Sequence, residues 1–105
     1  MLRIHDVMLD AITMMRPLIL GIKRHNRDLA CQLERAASSV ALNIAEGSGS
    51  SGGTRRERYR NALGSARESV SCLRVAQRFG YIGPMPAPLV AAMNQVIGTL
   101  VRVAV

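Results

Sequence analysis

The stretch NIAEGSGSSGGTRRERYR, residues 43–60, decides how this chain is read. Its glycine- and serine-rich middle, GSGSSGG at 47–53, empties into a cluster of arginines. A phosphate-gripping loop, a linker between two domains and a turn between two helices all start from such a composition. A phosphate loop of the common nucleotide-binding type follows a strand and ends in Gly-Lys-Ser/Thr. No alternating run marks a strand here, and no such lysine is present. A linker needs flanking units that stand alone, and a single short helix in water does not. The stretch therefore reads as a flexible hairpin turn, with residues 47–53 reversing the chain between two amphipathic rods. Gly47 is expected at the end of the first rod, because glycine accepts the left-handed conformation cheaply. Thr54-Arg55-Arg56-Glu57 matches a capping box, which starts the second rod at about residue 55.

Working outward, Leu29, Leu33, Ala36, Ala37, Val40 and Ile44 recur at helical spacing. They predict a helix over 28–46, capped by Asn26 or Asp28. Tyr59, Leu63, Ala66, Val70 and Leu73 predict another over 55–79, with Gly80 ending it. Upstream, Met1, Ile4, Met8, Ala11, Met15, Leu18 and Ile22 step by threes and fours, and Ile12 and Ile19 widen the stripe, for a helix over 3–24. Pro17 removes one hydrogen bond within it and is expected to kink it. The proline-rich YIGPMPAP at 81–88 is a stiff connection, after which Leu89, Met93, Val96, Ile97, Leu100 and Val103 build a helix over 87–104. Four helices with short connections predict an all-α, up-down antiparallel four-helix bundle, one domain over residues 1–105.

Composition agrees with that reading. The chain is 49% hydrophobic, drawn from Ala, Leu, Val, Ile and Met, with Tyr59, Tyr81 and Phe79 as its only Tyr and Phe residues and no Trp. The net charge is +7, carried by thirteen arginines and a single lysine. Such a surface draws polyanions, although genome base composition alone also enriches arginine. Asp6 and Asp10 interrupt what would be the apolar core of a signal peptide, and Asn94, Gln95 and Arg102 interrupt the apolar C-terminal stretch. No membrane segment is expected, and the cytoplasm is the default location. Cys31 and Cys72 are too few for a disulfide framework.

Placed at about 100° per residue, Arg56, Arg60, Arg67, Arg74 and Arg78 fall in one narrow arc beside the apolar face of the third helix. Such a ridge suits a phosphate backbone, because arginine forks grip phosphate through two bonds at once. It also suits plain solvation. No aromatic interleaves with these arginines, so base stacking has no support at this level. The start of the third helix, with Arg55 and Arg56 beside its free N–H groups, is a second anion candidate. On the second helix, Gln32, Ser39 and Glu46 are heptad-spaced and Asn43 shares their arc. They read as a polar seam that sets helix register or assembly, the alternative being a catalytic line around Glu46. No histidine, second acid or nucleophile joins that carboxylate, and no cofactor is expected. His5 and His25 lack ligand spacing, so no metal is expected. Both cysteines are expected to point away from their own helices' core stripes. Cys72 joins Ser65, Ala76 and Phe79 in a small-residue strip that reads as a partner surface.

QLERAASSVALNIAEGSG, followed by RYRNALGSARESVSCLRVAQRFGYI, carries a denser pattern. Its fixed points are Gln32, Arg35, Ala36, Ser39, Asn43, Ala45, Glu46, Gly47, Leu63, Gly64, Ser65, Glu68, Gly80 and Tyr81. In these residues the chain resembles the bacterial four-helix-bundle family of proteins encoded in intervening sequences of 23S ribosomal RNA. The likeness is specific through the second and third helices. It implies an up-down bundle, commonly assembled as a ring-shaped homopentamer, with no established enzymatic activity. It also makes Gln32, Arg35, Ser39, Asn43, Glu46, Gly47, Gly64, Ser65 and Glu68 a structural or assembly seam. A related branch, the accessory variability determinants of diversity-generating retroelements, works with a reverse transcriptase and its RNA. This chain lacks the family's Trp in helix one and its basic tail, which leaves the arginine ridge to hold any nucleic acid. The expectation is a self-assembling, non-enzymatic bundle that engages RNA or DNA through Arg55, Arg56, Arg60, Arg67, Arg74 and Arg78. The alternative is a scaffold whose arginines meet an acidic protein.

Overall fold

The computed structural model describes the backbone of residues 2–105 and the side chains of residues 3–105. It contains α1 (Leu2–Lys23), α2 (Arg27–Ser48), α3 (Gly52–Arg78) and α4 (Ala87–Val103), with no strand among the described residues. At ~1.5 Å per residue, the 27 residues of α3 span about 40 Å, close to the 42 Å long axis of the molecule. The helices therefore lie along that axis. α1 packs on α2, α2 on α3, α3 on α4 and α4 back on α1, which is the square arrangement of a four-helix bundle.

The predicted stripes form the core. Met8, Ala11, Met15 and Ile22 of α1 are fully buried, as are Leu33, Val40 and Ile44 of α2 and Leu89, Val96 and Leu100 of α4. Met1, counted in the first stripe, lies outside the described residues. α1 runs through Pro17 as one continuous helix. On α3 the buried line is Tyr59, Ala62, Ala66, Ser69, Cys72, Leu73 and Ala76, while Leu63 and Val70 are half-buried. Its small side chains let α3 approach α2 closely.

The helix ends show where local signals hold. Asn26 caps α2 by accepting the Leu29 N–H at 2.9 Å. Gly80 (φ 76°) ends α3, with its own N–H bonded to Gln77 O and the Tyr81 N–H to Ala76 O. That pair of bonds is a Schellman motif and needs the left-handed residue Gly80 supplies.

The deciding stretch corrects two expectations. Gly47 does not end its helix. α2 continues through Ser48 to a cap at Gly49 whose φ is −88°, so no left-handed residue closes it. Gly47 is glycine for a different reason: a Cβ there would lie 2.7 Å from Cδ1 of the buried Tyr59 ring. The capping box is not used either. Ser51 is the N-cap of α3 with no side-chain cap bond, and Thr54 and Glu57 sit exposed within the helix. Gly52, with φ 59°, turns the chain early enough to start the helix two residues ahead of Thr54. The connection is thus three residues, Gly49 to Ser51. The Arg55 side chain ties it down, its Nε donating to Ser50 O at 2.8 Å and Gly47 O at 3.2 Å.

Candidate nucleic-acid interface and polar seam

α3 carries different chemistry on its two flanks. Arg56, Arg60, Arg67, Arg74 and Arg78 are all exposed, on the flank toward α4. Arg60 shows the direction, because its Nε donates to Ala104 O at the end of α4, 2.9 Å away. Arg60 and Arg55 are therefore engaged by backbone carbonyls. Arg55 is turned to the carbonyls of the α2–α3 turn, which breaks up the Arg55–Arg56 anion pair expected at the helix start.

The remaining ridge is more open. Arg67, Arg74 and Arg78, with Val70, Ser71, Val75 and Phe79, line a groove of about 480 Å³ on the molecular surface. None of the three has a carboxylate within salt-bridge distance. Among the described residues the ion pair is Arg58 with Glu46, at 3.1 Å. Three guanidinium groups thus share one groove with their charge uncompensated, a local field that concentrates anions.

An aromatic ring does accompany these arginines, contrary to the sequence-level expectation. Phe79 lines the same groove, and the residue is 68% exposed. It stacks on Tyr81, with centroids 5.3 Å apart and planes 13° apart. Tyr81 also stacks with His25, at 5.0 Å and 5°. Angular placement on the helix put Phe79 elsewhere. Phe79 is the C-cap of α3, so no further turn of the helix covers its ring. The available signal was its place between Arg78 and the helix-ending Gly80.

The opposite flank of α3 meets the polar line of α2. Ser65 Oγ donates to Ser39 Oγ at 2.8 Å, and Asn43 Nδ2 donates to Ser39 O and Oγ at 2.9 and 3.0 Å. Gln32 Nε2 reaches Glu68 Oε2 at 3.4 Å, and Glu46 pairs with Arg58. The seam residues Gln32, Ser39, Asn43, Glu46, Ser65 and Glu68 are therefore joined across the α2–α3 boundary. Arg58 is the member that sequence reading missed. Arg35 is exposed and lines a second surface groove with Glu34, Ser38, Leu42 and Glu46. Leu42 is 63% exposed there, an apolar side chain amid polar ones. Gly64 lies exposed on α3, and a Cβ at that position would meet nothing within 4 Å. Gly47 has a reason inside the chain; Gly64 has none.

Two further expectations change. Cys72 and Ala76 belong to the core, at 4% and 0% exposure, rather than to an outward strip. Only Cys31 is exposed. Burial first, and the nearby Glu68 carboxylate second, push the Cys72 thiol above its ordinary value of 9.0. In the groove around Glu46 the second acid is Glu34, twelve residues away, or ~18 Å of helix. Paired catalytic carboxylates of the glycosidase kind work about 5–9.5 Å apart. Among the described residues no helix is long and apolar enough to cross a membrane, and no cluster of three or more His, Cys, Asp or Glu is placed to hold a metal ion.

An all-helical square with a polar seam between its second and third helices defines a small bundle class, and comparison with known families places the chain within it. The family model described as 23S rRNA-intervening sequence protein matches residues 18–100, and the chain belongs to that family. The match covers α2 and α3 entirely, the last six residues of α1, and α4 as far as Leu100. Comparison with curated proteins and with solved structures found no match in either.

Proposed function

We propose that this protein is a cytoplasmic, non-enzymatic bundle that assembles with copies of itself and holds nucleic acid, RNA above all, on the arginine flank of α3. The observation that carries the reading is the groove of Arg67, Arg74 and Arg78, exposed and without a neighbouring carboxylate. Solvated arginines on a helix are ordinarily interleaved with acids that neutralise them. Here the acids of α3 lie elsewhere: Glu68 faces α2, and Glu57 sits near the turn.

Assembly has its own support. Leu42 stands exposed in the seam, and Leu9 and Leu20, eleven residues apart, lie exposed along one face of α1. Two different apolar patches on each copy suit a head-to-tail contact, which closes into a ring, and the family likeness favours five members. A ring repeats the arginine groove and raises avidity without new contacts.

The test is fluorescence anisotropy with labelled RNA, labelled duplex DNA and an unrelated acidic protein, each across a salt series. Three arginine–phosphate contacts give a log–log salt slope of about −2 per protomer on a single strand. Reversing the charge at Arg67, Arg74 and Arg78 together is expected to abolish that binding with helicity unchanged by circular dichroism. Equal binding by the reversed variant, or preference for the acidic protein over both nucleic acids, would overturn the proposal.

A further inference from the structure

We infer that the arginine groove takes single-stranded nucleic acid and that an unpaired base stacks on Phe79; this rests on the nucleic-acid reading above. The groove combines two chemistries that a duplex does not use together. Arg67, Arg74 and Arg78 run along one flank of α3 over eleven residues, ~16 Å, a track for a phosphate backbone. At its end stands Phe79, more than two-thirds exposed although already stacked on Tyr81.

A duplex presents phosphates and groove edges but keeps its base faces stacked inside. A single strand offers both phosphates and free base faces, and proteins that hold it combine basic grooves with aromatic platforms. The packing around Phe79 prepares such a platform. Tyr81 stacks with it and with His25, so the ring is fixed at the bundle end before any ligand arrives. The Schellman turn at Gly80 holds Tyr81 in place by bonding its N–H to Ala76 O. Little conformational freedom remains for a base to remove on binding. Val75, 40% exposed, extends the apolar floor beneath the same groove. An acidic protein would be met by the arginines equally well but has no particular use for a flat aromatic face.

The absence of tryptophan makes a clean experiment available, since Phe79→Trp installs the chain's single indole. The probes are an unstructured RNA of about twelve nucleotides, within the ~4–16 that single-strand sites span, the matching duplex, and an acidic protein. The expected result is quenching of the indole by the single strand alone. Phe79→Leu, which keeps an apolar side chain but removes the ring face, should weaken single-strand binding about 5- to 100-fold and leave duplex binding unchanged. Three results would overturn the inference: Phe79→Leu binding the single strand like the parent, the duplex binding as tightly as the single strand, or the acidic protein quenching the indole equally. If arginine reversal abolishes binding while Phe79→Leu does not, stacking alone falls. If the parent protein binds no nucleic acid at low salt, the functional reading falls with it.

Discussion

A methyl group tells Gly47 and Gly64 apart. At Gly47 it would press into Tyr59, which is 2% exposed and has nowhere to retreat. Overpacking of this kind costs about 1–3 kcal/mol, against about 1 kcal/mol of helix propensity gained. Gly47→Ala should therefore lower the stability measured by urea unfolding by up to about 2 kcal/mol. Gly64→Ala meets open space within a helix and should raise it by about 1 kcal/mol. Gly47 was legible as important and misread as a stop signal, because the information that explains it lies in Tyr59, across the turn. Cys72 offers a second test at this scale. Its folded-state value is raised, so from about pH 9.0 upward the unfolded thiol ionises while the native one stays protonated. The unfolded state then holds fewer protons, and stability falls as pH rises through that window. Unfolding midpoints across pH 8–10, an experimental range bracketing roughly 9, should show the decline, and Cys72→Ala should flatten it. In the native protein, thiol reagents should modify Cys31 first.

At the scale of elements, the apolar stripes were readable because burial imposes the helical period directly on side-chain type. All four helices follow from them. The ends were readable only where one residue decides, as at Asn26 and Gly80. The bounds of the α2–α3 turn escaped, because several glycines and serines leave many backbone paths open and tertiary packing selects among them. What selects here is the Arg55 side chain, a residue assigned by sequence to anion binding. Arg55→Ala removes two hydrogen bonds to carbonyls near the end of α2 and should cost about 1 kcal/mol in thermal or chemical unfolding. Because Arg55 is turned to the backbone, the same change should leave the salt slope for RNA nearly unaltered. The ridge was visible from spacing alone. Its aromatic end was not, since the sequence reading grouped Phe79 with the small-residue strip of Ser65, Cys72 and Ala76, whereas its ring lines the arginine groove beside Val75.

For the whole molecule, the square arrangement gives α3 two neighbours and hence two flanks with separate tasks. Polar residues joined across α2 and α3 fix the register of those helices, while Arg67, Arg74 and Arg78 on the other flank remain without a carboxylate partner. If copies meet through the seam, Leu42→Glu places a charge into the contact without touching the core. Native mass spectrometry should then show the parent as an oligomer and the variant shifted to monomer, with helicity intact. A monomeric parent would remove assembly from the functional reading. The α2 side of the seam was recognisable in sequence as polar residues at heptad spacing, and Ser65 and Glu68 on α3 through the family likeness, but Arg58, the partner of Glu46, was not. Pairing across two antiparallel helices depends on a vertical offset that the turn sets, and the turn expected over 47–53 is the shorter Gly49–Ser51.

The shortness of the Gly49–Ser51 connection bears on how the chain reaches its native state. With three residues between them, α2 and α3 meet at almost no loop-closure entropy, and they pack along most of their lengths. The hairpin is thus a natural nucleus. A folding nucleus built on this hairpin would contain the complete seam and, on its other side, the whole arginine track before α1 and α4 dock.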